Sequence, residues 1–273
     1  MKSLFSRINA VYLPVTQLEH SIKWYEDVLG FELEHVWEND RERGAFFKIY
    51  RGDAQLGLVQ SMVTNNEFKS SKYINASLGT AAFNLYCVDA KYTYEQLKEK
   101  GAHLTTFREE EPTHCFVVID PDDNYLGVVQ EVNLAENVYY GIYEEIYPRL
   151  REMELFDGVA AKFLPVHDIE AAIDWYTNFF QMGLIDHWKL GADLKLESKS
   201  GWLGLVSLED SEPIRYTNSN DLTPFVGIES PALDEAYQWL KEKGVKVTQI
   251  SDQAPKHFDL EDLTGNVIRV TEA

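Results

Sequence analysis

Only two cysteines, Cys87 and Cys115, occur in the 273 residues. That is too few for a disulfide scaffold, and both fall in strand-like stretches, so two small thiols in a reducing compartment are expected. No apolar run approaches the roughly 20 residues that cross a bilayer. Positive charge is scarce as well: 25 basic side chains face 45 acidic ones, for a net charge of −20. Such a field repels phosphate backbones and anionic lipid, which argues against nucleic acid and membrane partners. The opening Met1–Arg7 stretch is too short, and too soon interrupted by Arg7 and Asn9, to be a secretory signal, so a cytoplasmic location is expected. What the chain does have is 45% hydrophobic and 26% charged residues, a soluble globular profile with enough length for two ordinary domains.

The organising stretch runs from Leu13-Pro14-Val15 to Trp24-Tyr25 and recurs 151 residues later as Leu164-Pro165-Val166 to Trp175-Tyr176. Each copy is a strand entering an amphipathic helix. Leu18, Ile22, Tyr25 and Leu29 in the first, and Ile169, Ile173, Tyr176 and Phe180 in the second, share one spacing and one buried face. Thr16 followed by Glu19 suggests a capping box, and Asp168 is a comparable N-cap in the second copy.

Strand alternation places Val11, Leu13 and Val15 under the helix and leaves Ala10, Tyr12 and Pro14 on the other face. Gly30 closes the helix. A strand at 31–35 and a hairpin at 45–60 follow, and 64–75 is expected to be a loop. A second unit starts at Ala81: strand 82–88, a helix capped by Asp89 and closed by Gly101, strands 102–107 and 115–119, the tight turn Asp120-Pro121-Asp122-Asp123-Asn124, and a return strand. Residues 134–156, rich in tyrosine and glutamate, connect the halves and offer a possible contact surface or lid. The plan then restarts at 159. Ser230 with Pro231 opens the last helix, Leu240–Gly244 repeats Leu97–Gly101, and Asp262–Asn266 repeats the acidic turn. The chain is four strand-helix-strand-strand-strand units, paired into domains at 1–133 and 157–273 around the 134–156 connector.

Four features carry a family resemblance: Leu18-x-x-Ser21-x-x-Trp24-Tyr25-x-x-Val28-Leu29-Gly30-Phe31, the helix end Leu97–Gly101, the turn Asp120–Asn124, and their second-half counterparts. On these the chain resembles a two-domain member of the vicinal oxygen chelate superfamily, which includes glyoxalase I, bleomycin-resistance proteins, fosfomycin-resistance enzymes and extradiol dioxygenases. The resemblance implies an α+β fold of four βαβββ modules, paired into two glyoxalase/bleomycin-resistance-like domains, each curling into an open sheet around a cavity. It says little of activity, because one scaffold hosts many chemistries.

Members that use a metal hold it with histidine or glutamine and glutamate on facing strands, donors suited to a divalent ion. Counted onto this chain, those positions are Ala10, Ala82 and Gly127 in the first domain and Ala161, Phe225 and Arg269 in the second. None ligates a metal through its side chain, and Arg269 repels one. The resemblance therefore implies no metal site of the family's kind; no cofactor is assigned, with a divalent metal left open. Of the seven histidines, His20, His103 and His167 are expected to be solvated, while His35 with His187 and His114 with His257 match across the repeat, a pattern more often structural than metal-binding or catalytic.

The expected cavities are small and aromatic. The first is lined by Tyr12, Asn84 and Tyr86, with space left by Ala10, Ala82 and Gly127. The second is lined by Phe163, Phe225, Gly227, Glu229 and Arg269, the last paired with Glu229, and His114 is a further candidate. Aromatic walls with a few polar groups hold small organic ligands. The leading reading is a metal-independent small-molecule binding protein, monomer or homodimer, taking an aromatic or amphipathic compound, with no catalytic residue assigned. The rival is a divergent lyase or ring-cleaving dioxygenase with non-standard metal ligands, or a metal-free isomerase using Tyr12, His114 or Glu229 as acid–base groups.

Overall fold

The computed structural model describes residues 3–39, 42–49, 54–61, 73–75, 80–81, 83–110, 113–132, 155–156, 158–196, 202–208, 224–252 and 254–273. The first module is β1 (Arg7–Pro14), α1 (Leu18–Trp24) running into a π-helical turn at Tyr25–Leu29, β2 (Glu32–Glu38), β3 (Glu42–Lys48) and β4 (Gln55–Ser61). A short hairpin, β5 (Tyr73–Asn75) and β6 (Thr80–Ala81), leads into the second module: β7 (Phe83–Tyr86), α2 (Ala90–Glu99), β8 (His103–Leu104), β9 (Arg108–Glu110), β10 (Thr113–Ile119) and β11 (Tyr125–Glu131). The third holds β12 (Gly158–Val166), α3 (Ile169–Phe179), β13 (Gly183–Trp188), β14 (Gly191–Lys195) and β15 (Trp202–Ser207). The fourth holds β16 (Val226–Ser230), α4 (Leu233–Glu242), β17 (His257–Glu261) and β18 (Val267–Glu272). This is the expected α+β plan. Two details differ: the end of the stretch expected as a loop, Tyr73–Asn75, is a strand paired with β6, and the strand expected at 102–107 is reduced to β8, with the separate β9 following it. The loop at 209–222 and the connector up to residue 154 lie outside the described residues.

The strands do not pair within each half of the chain. One sheet has the order β17-β18-β16-β1-β4-β3-β2, joining the fourth module to the first. The other runs β13-β14-β15-β12-β7-β11-β10-β8, joining the third to the second, with β9 on β10. At both joins the first strands of two modules run antiparallel, β1 with β16 and β12 with β7, and both joins carry a bulge, at Ile8/Ala10 and at Val159/Ala161. The expectation that each half curls around its own cavity is therefore corrected. A module's first strand has a free edge beside its own hairpin, and in this chain that edge is filled by a module of the other half.

The apolar cores, in contrast, stay with the halves. Val11, Leu13, Tyr25, Phe47, Phe83, Leu97 and Val128 share one buried cluster, and Leu164, Val166, Tyr176, Leu205, Val226, Leu240 and Ile268 share another. Phe5 and Ile8 precede the bulge in β1 and join the second-half core, while Phe156 crosses to the first-half core and packs on Phe31 at 5.5 Å. Each half thus buries a piece of the other. Lys162 sits at the seam: it is 0% exposed, its ammonium lies 5.8 Å from the Phe83 ring centre and 5.3 Å from that of Phe225, and its Nζ has no hydrogen-bond partner among the described residues. Burial alone lowers its pKa to about 7. The repeat places Val11 at the matching position.

The residues that carry the sequence resemblance are structural ties. Asp120 accepts hydrogen bonds from the backbone N–H of Asp122 and Asn124 and from Asn124 Nδ2, while the Tyr25 hydroxyl donates to it at 2.9 Å. Asn124 Nδ2 also donates to the Pro14 carbonyl. The second half repeats the arrangement with Asp262, Thr264, Asn266, Tyr176 at 2.8 Å, and Pro165. A buried carboxylate needs this many donors, and together they pin helix, turn and first strand. Burial nevertheless raises the Asp120 pKa to about 6, against the opposing pull of those donors.

Tyr25→Phe is expected to cost about 1.5–3 kcal/mol, the usual worth of a bond to a charged acceptor. Losing the donor raises the Asp120 pKa further in the folded state. The folded protein then holds a proton that the unfolded chain releases, so the loss grows as pH rises from 5 to 8. Urea denaturation at the two pH values measures this. A cost under 0.5 kcal/mol, or one unchanged with pH, would show that the tie contributes nothing.

The helix caps are only partly as expected. Asp89 and Asp168 accept from the N–H of Tyr92 and Ala171. The capping box at Thr16 and Glu19 does not form: Thr16 bonds Asp122 of the acidic turn, Glu19 pairs with Arg43, and the Leu18 N–H is satisfied by Gln60 Oε1 from β4. Ser230 is not the cap residue of the last helix either; that is Ala232, whose N–H it accepts while donating to the Leu4 carbonyl. Tertiary partners outcompete the local cap in both places.

Candidate functional site

Alternation puts the residues not used by the cores on one face of each sheet. On the first sheet Ala10, Tyr12 and Val59 form a separate buried cluster with Trp37 and Phe46 packed on it. Tyr12 stands edge-on to Phe46 with ring centres 5.7 Å apart, and its ring crosses Gly57 on β4, where an added Cβ would lie 2.6 Å from the ring. Gly57 therefore makes room for the phenol to lie across the sheet. The Trp37 indole covers Gly44 in the same way.

Arg269, across the join on β18, lies 5.9 Å from the Tyr12 ring centre. Its Nε and Nη2 donate to the two oxygens of Asp259 at 2.8 and 2.9 Å. The expected partner, Glu229, is engaged elsewhere, accepting from Arg7 at 2.8 Å and from Ser6 at 2.9 Å. Registry decides this: Asp259 stands directly opposite Arg269 on the neighbouring strand. Burial works against the guanidinium charge, but Asp259 outweighs it and holds Arg269 above its ordinary value. Burial also pushes the Tyr12 phenol up to about 12, opposed by Arg269 and reinforced by Asp259 and Glu42. His257, on the same strand as Asp259, is lowered by burial and then by the Arg269 charge.

The second sheet presents a different set. Tyr86, Ala160, Ala161 and Trp202 cluster with Phe163, Val129 and Ile185. Asn84 stands opposite both Ala161 and Gly127, with its amide oxygen over the glycine. The two faces have diverged at matched positions. Phe163 replaces Tyr12, Asp193 replaces Phe46, and the Gly227–Arg269 pair becomes Asn84–Gly127. The space over Gly127 is filled by Asn84, and that over Gly227 by Asn9 and Ala10.

The candidate residues named from sequence are thus regrouped. Tyr12 joins Arg269 on the first sheet, not Asn84 and Tyr86, which join Phe163 on the second. Phe225 is in the second-half core against Lys162. His114 is 6.2 Å from the Phe107 ring beneath α2 and belongs to neither face. Ala82 lies outside the described residues. Trp37, Phe46, Asp259 and Trp202 were missed by the sequence reading. The repeat signal was available for Trp37, which Trp188 matches 151 residues on.

The register alters the count of metal positions made from the sequence: Gly227, not Phe225, stands opposite Ala10 and beside Arg269 on the first sheet, and Asn84, not Ala82, stands opposite Ala161 and beside Gly127 on the second. Among the described residues no three of His, Cys, Asp and Glu stand together as a ligand set. Methyl groups and hydrogens offer no lone pair, a guanidinium repels a cation, and the one donor present, the Asn84 amide oxygen, is no ligand set by itself, so these residues do not fit a divalent ion.

The sequence profile of the Glyoxalase/Bleomycin resistance protein/Dioxygenase superfamily matches residues 7–128 and 157–270, and the chain belongs to that superfamily. Among solved structures it is similar to glyoxalase I from Zea mays, with a TM-score of 0.69 at 16% identity over 97% of this chain and 92% of that one. It is also similar to a putative dioxygenase from Bacillus subtilis, with a TM-score of 0.71 at 12% identity over 99% and 86%. At such identities the likeness is one of fold. Comparison with curated protein sequences gives no match. No helix among the described residues is long and apolar enough to cross a membrane.

Proposed function

We propose that the protein binds a small aromatic or amphipathic compound, without a metal, on the Tyr12 face of the first sheet. One observation carries this: Tyr12, Phe46, Trp37 and Val59 form an aromatic cluster that is separate from both folding cores and stands beside a fixed ion pair. Flat apolar walls with a few oriented polar groups are what an organic ligand of this class needs. The Asp259–Arg269 pair orients polar atoms, and its internal neutralisation suits a ligand without strong charge.

A thermal-shift panel of planar aromatic and amphipathic compounds tests the reading. A bound compound at about 100 times its Kd adds about 2.7 kcal/mol, or roughly 5–10 °C in a chain of this size. Tyr12→Ala is expected to abolish the shift. No response to any compound, or stoichiometric zinc, nickel, iron or manganese in protein purified without chelator, would overturn it.

A further inference from the structure

The Trp37 indole N–H is buried and has no hydrogen-bond acceptor among the described residues. An unmatched buried donor is uncommon in a folded protein and calls for an explanation. Trp37 does not lack support, since its ring rests on Gly44 and packs against the cluster of Ala10, Tyr12 and Val59. Its repeat counterpart, Trp188, rests on Gly191 in the same way, and its Nε1 is not among the buried unmatched atoms. Of these two repeat-matched tryptophans only Trp37 carries a buried unmatched N–H, and it stands on the face that carries the proposed function.

The charges around that face restrict the acceptor. The cation beside Tyr12 is Arg269, whose guanidinium lies 5.9 Å from the ring centre. The guanidinium gives Nε and Nη2 to Asp259. A carboxylate or phosphate ligand would meet the Asp259 carboxylate and find the Arg269 guanidinium already engaged by it. A neutral oxygen meets no such repulsion.

We infer that the ligand of the Tyr12 face is a neutral planar aromatic compound bearing a carbonyl-type oxygen, which accepts the Trp37 indole N–H while its rings lie against Tyr12 and Phe46. This rests on the reading of that face as a small-molecule site and names what it selects. The oxygen satisfies a donor that the empty face leaves unmatched. A ligand of the same shape without it leaves that donor buried and unpaired, a large source of discrimination.

Four naphthalenes of similar size test this by titration calorimetry: 2-acetylnaphthalene, 2-isopropenylnaphthalene, 2-naphthoate and 2-naphthylmethylammonium. The ketone is expected to bind about tenfold tighter than the isopropenyl isostere, the worth of one buried hydrogen bond, and tighter than either ion. Trp37→Phe is expected to remove the preference for the ketone while Trp188→Phe keeps it. Trp37→Phe gives up ring contact over Gly44 but no hydrogen bond, so it should fold with a modest loss of stability. In a nitrogen-15 spectrum of the six tryptophan indoles, the Trp37 signal moves downfield with the ketone and not with its isostere.

Equal binding of ketone and isostere, tightest binding by naphthoate, or an unmoved Trp37 signal would overturn this inference. If Tyr12→Ala still abolished that binding, the broader reading of the face would stand. Absence of binding by all four would sink both.

Discussion

Lys162→Met is expected to stabilise the protein by about 3 kcal/mol or more at pH 7 and to remove a pH dependence that the wild type shows. The amine is fully buried between Phe83 and Phe225, with burial lowering its pKa from 10.5 to about 7 and no partner for Nζ among the described residues. At about 1.4 kcal/mol per pH unit, that difference amounts to about 5 kcal/mol of strain on the folded state when the unfolded chain is fully protonated. A folded-state pKa below the unfolded one means that the folded protein binds fewer protons between pH 7 and 10.5, so stability climbs with pH across that window. Below pH 7 both states are protonated and the penalty is constant. Methionine is close in volume and carries no charge to desolvate.

Urea denaturation at pH 7 and pH 9 measures the effect. The wild type should gain about 2–3 kcal/mol between them and the variant little. Stopping at pH 9 avoids the buried tyrosines and Cys87, whose raised pKa values act in the opposite sense at higher pH. A wild type insensitive over this range, or a less stable variant, would show that the amine finds an acceptor or water in solution.

Arg269→Met has the second large effect. Both partners are largely buried, with side-chain exposures of 13% and 11%, and removing one charge leaves the other desolvated, a loss of about 3–5 kcal/mol. The double change Arg269→Met with Asp259→Leu should recover much of the stability, because no lone charge remains. A single variant costing under 1 kcal/mol, or a double variant as unstable as the single, would contradict this account. Ligand titrations on the double variant separate the ion pair's part in stability from its part in orienting a ligand.

How far the sequence reaches is clearest at three places. The 151-residue repeat, the helix faces and the acidic turns were legible because they are local: periodicity decides which side of a helix is buried, and the Asp–Asn turns are read from their own residues, whereas their bonds to Tyr25 and Tyr176 of neighbouring modules were not. Strand alternation likewise separated Val11 and Leu13 from Ala10 and Tyr12 without any structure.

The tertiary structure alone decided which module borders which. Edge-to-edge pairing of β1 with β16 and of β12 with β7 uses backbone hydrogen bonds, which every residue but proline offers alike, so no side-chain pattern marks the partner. That pairing brought Tyr12 to Arg269, gave Arg269 to Asp259 instead of Glu229, and set Asn84 and Tyr86 beside Phe163. It also placed Lys162, which the repeat shows only as a substitute for Val11, at the seam of two cores. Local chemistry thus fixed the pieces and their inner faces, and the long-range contact of strand edges fixed which faces share a site.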